Sequence, residues 1–183
     1  MPPRAPPSPL LADDAIALRP LGAAYEGDFA RLLDVDDVRE NTRVPSEPPP
    51  AYARTWLSLY EAGWREGGRA GFAIHDRETD EFLGFAAYVA LDAEAAEGEI
   101  GYVLAPAGRG RGAATRAVDL LVAWGFGALG LERIELVITE GNVASERVAE
   151  RTGFVREGVL RSKHFKERVR IDAGIWARLR DGR

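Results

Sequence analysis

Residues 99–126 constrain this chain more than any other stretch, reading E-I-G-Y-V-L-A-P-A-G-R-G-R-G-A-A-T-R-A-V-D-L-L-V-A-W-G-F. Residues 100–104 are apolar, aromatic and β-branched, which suits a strand, and Pro106 and Gly108 end it. From Ala114 the period changes. Ala114, Ala117, Val118, Leu121 and Val122 recur at helical spacing, so an amphipathic helix follows. The unit is strand, glycine-rich turn, helix. Gly110 and Gly112 remove side chains where the turn enters the helix. Backbone N–H groups are left bare at the positive end of a helix dipole, a place that favours phosphate. Arg109 and Arg111 add two permanent positive charges beside it. The plainest reading is a tight turn with solvated arginines. A dinucleotide fingerprint also fits formally, as Gly108-x-Gly110-x-x-Ala113, but only residues 114–183 remain for the further βαβ units that fold needs. No G-x-x-x-x-G-K-[ST] occurs, which excludes a nucleoside-triphosphate loop.

The rest of the chain narrows the choice. Its 183 residues suit one domain with a sizeable core. A net charge of −5 argues against general nucleic-acid binding. With no cysteine there is no disulfide framework, thiolate metal site or cysteine nucleophile. The only histidines are His75 and His164, so a histidine-rich metal site is excluded and no metal is expected. No apolar run approaches the ~20 residues of a membrane span. Residues 1–14 carry five prolines and lack the long apolar core of a secretion signal. They read as a flexible tail before a single domain over residues 15–180, and the missing signal points to the cytoplasm.

In order, residues 15–21 read as a strand and 25–35 as a short helix with Phe29, Leu32 and Leu33 on its apolar side. Residues 34–50 are proline-rich and acidic, a surface loop whose charge either attracts a cationic amine or is simply solvated. Tyr52, Trp56, Tyr60 and Trp64 then fall four apart along one helix face, a stripe that suits core or a pocket wall. Two strands follow at 70–75 and 82–91, with His75 an ordinary partly buried histidine at a strand end, and 92–98 is an acidic linker. Residues 132–139 form another strand, parallel to the central one because a helix connects them. Asn142 is a natural helix N-cap and Gly153 a natural residue to follow that helix.

Arg109-x-x-Gly112-x-Ala114 resembles the Q/R-x-x-G-x-G/A signature of the GNAT superfamily of acetyltransferases, where the turn cradles the pyrophosphate of coenzyme A. Residues 110–118, G-R-G-A-A-T-R-A-V, resemble the RimJ/RimL branch, which acetylates protein N-termini. The run Asn142-x-x-Ser145, a short helix, then Gly153-Phe154 resembles the second GNAT signature. Residues 154–161 and 170–177, the latter with Asp172 and Trp176, resemble the continuation of that branch. The likeness runs from about residue 15 to about residue 179.

The resemblance implies an α+β fold: a central, mixed, mostly antiparallel twisted sheet with a splayed parallel pair at its centre and helices on both faces. It implies acetyl-coenzyme A as cosubstrate, its pantetheine bonding backbone at Tyr102, Val103 and Leu104 and its pyrophosphate resting on Arg109, Gly110, Arg111, Gly112, Ala113 and Ala114. Asn142 belongs to the same cofactor side. A primary amine, either a protein N-terminus or a small amine, attacks the thioester directly in a ternary complex, because without cysteine an acyl-cysteine route is closed. Ser145 carries over as the proton donor, with a plain helix-start hydroxyl as its alternative. Relatives place a glutamate base seven residues past an E-G pair. After Glu157-Gly158 this chain has His164 there, and Glu99 and Glu140 are the fallback carboxylates. Asp36, Trp56 and Tyr60 are the expected acceptor contacts. Relatives often dimerise, which makes a homodimer the remaining partner, with no nucleic acid and no membrane. A non-catalytic coenzyme A-binding regulatory domain of the same fold stays open at this level.

Overall fold

A computed structural model describes residues 6–7, 10–42 and 44–182 of the chain. Eight strands form one sheet: β1 (Leu11–Ala12), β2 (Ile16–Pro20), β3 (Ala70–Asp76), β4 (Phe82–Asp92), β5 (Glu97–Leu104), β6 (Arg133–Thr139), β7 (Val155–Lys166) and β8 (Val169–Leu179). Their spatial order is β1-β2-β3-β4-β5-β6-β8-β7, antiparallel at every seam except β5–β6. The helices are α1 (Glu26–Leu33), α2 (Asp36–Asn41), α3 (Tyr52–Glu66), α4 (Ala113–Gly127) and α5 (Val143–Arg151). This is the mixed, mostly antiparallel sheet that the motifs imply.

Strand alternation divides the core in two. Phe72, Ile74, Tyr88, Ile100 and Leu136 pack with Ala117, Val118 and Leu121 of α4 on one face. Phe85 and Ala73 pack with Phe29, Leu33, Leu57 and Tyr60 of α1 and α3 on the other. The aromatic stripe of α3 serves both faces. Tyr60 is core on the near face, while Trp64 reaches Phe72 and Trp124 on the far one, with ring centroids 5.4 and 6.0 Å away. His75 is buried, with Nδ1 2.9 Å from the Asp80 carbonyl oxygen, as expected of a structural histidine.

Three sequence expectations change. Of the expected tail, residues 1–5 and 8–9 lie outside the described residues, but Leu11–Ala12 already pair with β2. The Asp13 carboxylate then accepts from the N–H groups of Ala15 and Ile16, each at 2.8 Å, and meets Arg116 of α4 at 2.8 Å. The sheet therefore begins before residue 15. The 34–50 loop contains α2, held by Val38, whose single apolar side chain enters the core. One anchor in an acidic run leaves no readable period. The 92–98 linker is instead a tight turn of the β4–β5 hairpin. The Asp92 carboxylate accepts from Glu94 and Ala95 N–H at 2.9 Å each, and Ala96 sits at φ 55°.

The parallel seam is short. β5 and β6 pair only at Glu97–Arg133, Gly98–Ile134 and Glu99–Glu135. Beyond that rung β5 stays bonded to β4 as far as Leu104, and β6 to β8 as far as Thr139, so a wedge opens between them. The cause lies next door. Val89 is an extra residue in β4, between the Tyr88–Ile100 and Ala90–Glu99 rungs, level with the end of the seam. A bulge of this kind bends its strand and increases local twist, which carries the upper half of β5 away from β6.

Tyr88 fixes the bulge in place. Its buried hydroxyl donates to the Leu121 carbonyl of α4 at 2.9 Å. A Cβ on Gly125 of α4 would stand 2.0 Å from that hydroxyl oxygen and 2.9 Å from Ile134 Cδ1, and one on Gly98 would stand 2.8 Å from the Tyr88 ring. Glycine to alanine inside a helix ordinarily gains about 1 kcal/mol. Here Gly125→Ala should instead destabilise the fold by about 1–3 kcal/mol through overpacking. Urea unfolding checks the sign, and a variant as stable as the parent or more so would contradict this packing.

Candidate active site

The wedge opens into a cavity of about 460 Å³ lined by residues from both faces of the sheet. Alternation along β5 assigns its walls. Ile100 and Tyr102 belong to the α4 face, whereas Val103 packs against the α1–α3 core. By the same parity Glu99 and Gly101 lie on the α1–α3 side. Ser145 and Asn142 of α5 complete the first side, and Trp56, Phe85 and Val89 the second.

Of the expected catalytic groups, the structure brings Glu99, Ser145 and His164 into this one cavity. Glu99 occupies the last paired rung, at the apex of the wedge. His164 arrives there through irregular pairing of β7 with β8 between Leu160 and His164, where Ser162 has φ 57° and its N–H donates to the Asp172 carboxylate at 2.7 Å. The His164 Nδ1 and Thr139 Oγ1 atoms are 2.9 Å apart, which orients the ring against the end of β6. The Asn142 side chain caps α5 by accepting from Ser145 N–H at 3.2 Å, so Ser145 has the expected helix-start position while its side chain also lines the cavity.

Tyr102 carries a feature the sequence did not signal. It was expected to contribute backbone, but its hydroxyl is buried and meets no hydrogen-bond partner among the described residues. Burial pushes the phenol up to about 12, with the nearby Ser145 hydroxyl opposing the rise although the two groups fall short of hydrogen-bond geometry. Arg69, Thr139 and Lys166 also line the cavity without any motif to announce them.

The glycine turn lies beyond the mouth of the wedge. Gly110 and Gly112 have φ of 69° and 76°, and a Cβ on either would meet nothing within 4 Å. Glycine is there for left-handed backbone and an open approach rather than for packing. Gly112 is the N-cap of α4, with no side-chain cap and no acid in the first turn. The leading N–H groups of the helix, from Ala113 and Ala114 onward, therefore lack acceptors within the helix. The arginines differ. Arg109 donates to the Leu104 carbonyl at 3.4 Å. Arg111 is bound to Asp76 at 2.6 Å and Glu81 at 3.4 Å, so it pins the turn to the β3–β4 hairpin with its charge already balanced, unlike the phosphate-facing role expected of it. Hydrogen bonds from the Thr79 and Glu78 backbone, with Arg111 adding its charge, hold the Asp76 carboxyl below the usual range.

The acceptor expectation needs one correction. Asp36 is 92% exposed, pairs with Arg39 at 3.3 Å and does not line the cavity. Two residues on, Val38 points inward, and helix geometry turns Asp36 away. Trp56 and Tyr60 do line it. Trp56 stacks on Phe29 at 4.2 Å and meets Tyr60 and Phe85 at 4.5 and 4.6 Å, so one ring is both core and wall. The β7–β8 turn reaches across to the 34–50 segment. Glu167 accepts from Ser46 N–H at 2.7 Å, and the Lys166 ammonium donates to the Arg39 carbonyl. Among the described residues no group of three or more acidic or histidine side chains could hold a metal, and no helix is long and apolar enough to cross a membrane.

Comparison with known proteins agrees with this geometry. The sequence model of a family described as acetyltransferase (GNAT) domain matches residues 16–155. The chain is 27% identical to the uncharacterized N-acetyltransferase YoaA of Bacillus subtilis over 92% of this chain and 96% of that one. Its fold superposes with TM-score 0.86 on RimL, a ribosomal L7/L12 α-N-protein acetyltransferase in complex with coenzyme A, at 17% identity, covering 95% of this chain and 99% of that one. The spermidine N-acetyltransferase of Vibrio cholerae, in complex with coenzyme A and spermine, superposes with TM-score 0.79 at 19% identity, covering 93% and 98%.

The burial of Tyr102 can be measured directly. A phenol held near 12 stays protonated at pH 10.5, so wild type and Tyr102→Phe should show equal phenolate absorbance there. One additional ionised tyrosine in the wild type at that pH would contradict the buried position.

Proposed function

The chain belongs to the GNAT acetyltransferase family, and from that premise we propose that it transfers the acetyl group of acetyl-coenzyme A to a primary amine by direct attack in a ternary complex. The observation that carries the reading is the wedge between β5 and β6, which ends at a glycine turn opening a helix N-terminus. Past the Glu99–Glu135 rung, the β5 backbone through Tyr102, Val103 and Leu104 has no strand partner on the β6 side. It offers an extended ligand a row of amide groups. The Gly110–Gly112 turn and the first N–H groups of α4, with Arg109 nearby, offer a pyrophosphate its dipole and donors. Arg111 supports that turn from behind.

The thioester supplies an activated acyl carbon, and the protein supplies position and proton management. An N–H of β5 aimed into the wedge would stabilise negative charge on the acyl oxygen. On the α1–α3 side, Glu99 and the Thr139-oriented His164 are the groups able to take a proton from the amine. An imidazole, intrinsically near 6.5, suits that task around neutrality. On the opposite side, Ser145 can give a proton to the departing sulfur. On this reading the base lies on the α1–α3 side of the cavity and the acid on the α4 side, flanking the reacting carbon. A protein N-terminus, such as RimL modifies, and a small amine both present the required nucleophile.

Release of free thiol from acetyl-coenzyme A, dependent on an added amine, tests the activity. Gly112→Val places a β-branched side chain at φ 76° and should weaken coenzyme A binding at least about ten-fold by calorimetry while circular dichroism stays native. Unchanged affinity would remove the cradle. His164→Ala should lower kcat more than it raises KM and abolish the acidic limb of the kcat profile, since a base must be unprotonated to act. Ser145→Ala should slow the chemical step with acetyl-coenzyme A binding intact. If His164→Ala keeps wild-type kcat across the pH range, the base is elsewhere, and Glu99 or an ordered water becomes the better candidate.

A further inference from the structure

The α1–α3 side of the cavity has a chemical character that the glycine turn and the proton carriers do not explain. Resting on the acetyl-transfer reading, we infer that the acceptor is a primary amine carried on an apolar body, aromatic or branched, with no second positive charge near the first. The wall facing Glu99 includes Leu32, Val38, Val44, Trp56, Phe85 and Val89, with Thr42 and Tyr52 beside them. Trp56 is fixed before any ligand arrives, stacked on Phe29 and edged by Tyr60 and Phe85. A preset wall removes part of the ordering entropy that an apolar ligand otherwise opposes.

Charge points the same way. Among the described residues the cavity is lined by one carboxylate, Glu99, against two cations, Arg69 and Lys166. The acids Asp34, Asp36 and Glu47 of the neighbouring segment do not line it. An amine with a single charge finds one carboxylate at the apex of the wedge. A polyamine that stays within the cavity sets its further ammonium groups against Leu32, Val38 and Val44, or beside Arg69 and Lys166. A buried ammonium without a partner is strongly disfavoured, whereas each methylene of an apolar body buried there favours binding.

The test uses the full chain, acetyl-coenzyme A and thiol release with five acceptors: phenethylamine, a tripeptide beginning with phenylalanine, the same tripeptide beginning with glycine, spermidine and spermine. Phenethylamine or the phenylalanine peptide should exceed spermidine, spermine and the glycine peptide in kcat/KM by about ten-fold or more. Which of those two leads tells a small amine from a chain terminus. Val44→Asp, at the rim of the apolar wall, should lower that ratio about ten-fold and favour spermidine, and Trp56→Phe should raise KM for the aromatic acceptors alone. A preference for spermidine, spermine or the glycine peptide overturns the inference. So does turnover of none of the five while coenzyme A still binds. Failure to bind coenzyme A in calorimetry instead overturns the acetyl-transfer reading beneath it.

Discussion

One extra residue in a strand shapes this molecule. Val89 lengthens β4 by a single position against β5, and at that level β5 loses β6 as a neighbour. A regular sheet would have continued the ladder and closed the space in which the site lies. The bulge holds its place because Tyr88, immediately before it, is clamped. Gly98 below and Gly125 above leave room for the ring, and the Leu121 carbonyl accepts a hydrogen bond from its hydroxyl. The position of α4 and the parting of the strands therefore share one steric cause. Both depend on two glycines being too small to interfere.

The same docking aims α4. A Cβ on Gly108 would stand 2.3 Å from the Leu83 carbonyl oxygen, so the chain leaving β5 passes tightly over the start of β4. Arg111 then binds Asp76 and Glu81, fixing the turn against the β3–β4 hairpin. The helix begins beyond the end of β5 with its unpaired N–H groups facing outward. Distances along this path are set by packing and by one ion-pair cluster, while the glycines of the turn provide only backbone freedom.

Much of this was legible in the sequence because it is local. A glycine-rich turn between a β-branched run and a helical period announces itself, and Asn142 three residues before Ser145 announces a cap that the structure contains. The parallel relation of β5 and β6 followed from the helix that joins them. What the sequence hid is tertiary. The acidic run at residues 34–50 gave no sign that Val38 would turn inward and carry Asp36 out into solvent. The phosphate role read for Arg111 missed acids that lie far back in the chain. Tyr102 looked like one more strand residue, because nothing local says that its hydroxyl ends beside Ser145 with no partner. His164 was identified from its distance past Glu157-Gly158, but the irregular pairing that carries it to Thr139 is written in the register of two strands.

The cavity is lined from both faces of the sheet, and this has a kinetic meaning. A pocket with one mouth imposes a sequence of events, because whatever enters first lies beneath what enters second and must wait for it to leave. Here the strands on either side of the gap are each bonded to an outer neighbour, which holds them apart. On the proposed reading the nucleotide-bearing partner and the amine come to a shared carbon from opposite sides of one layer of backbone. Neither buries the other, and the rate law has no structural reason to distinguish first from second.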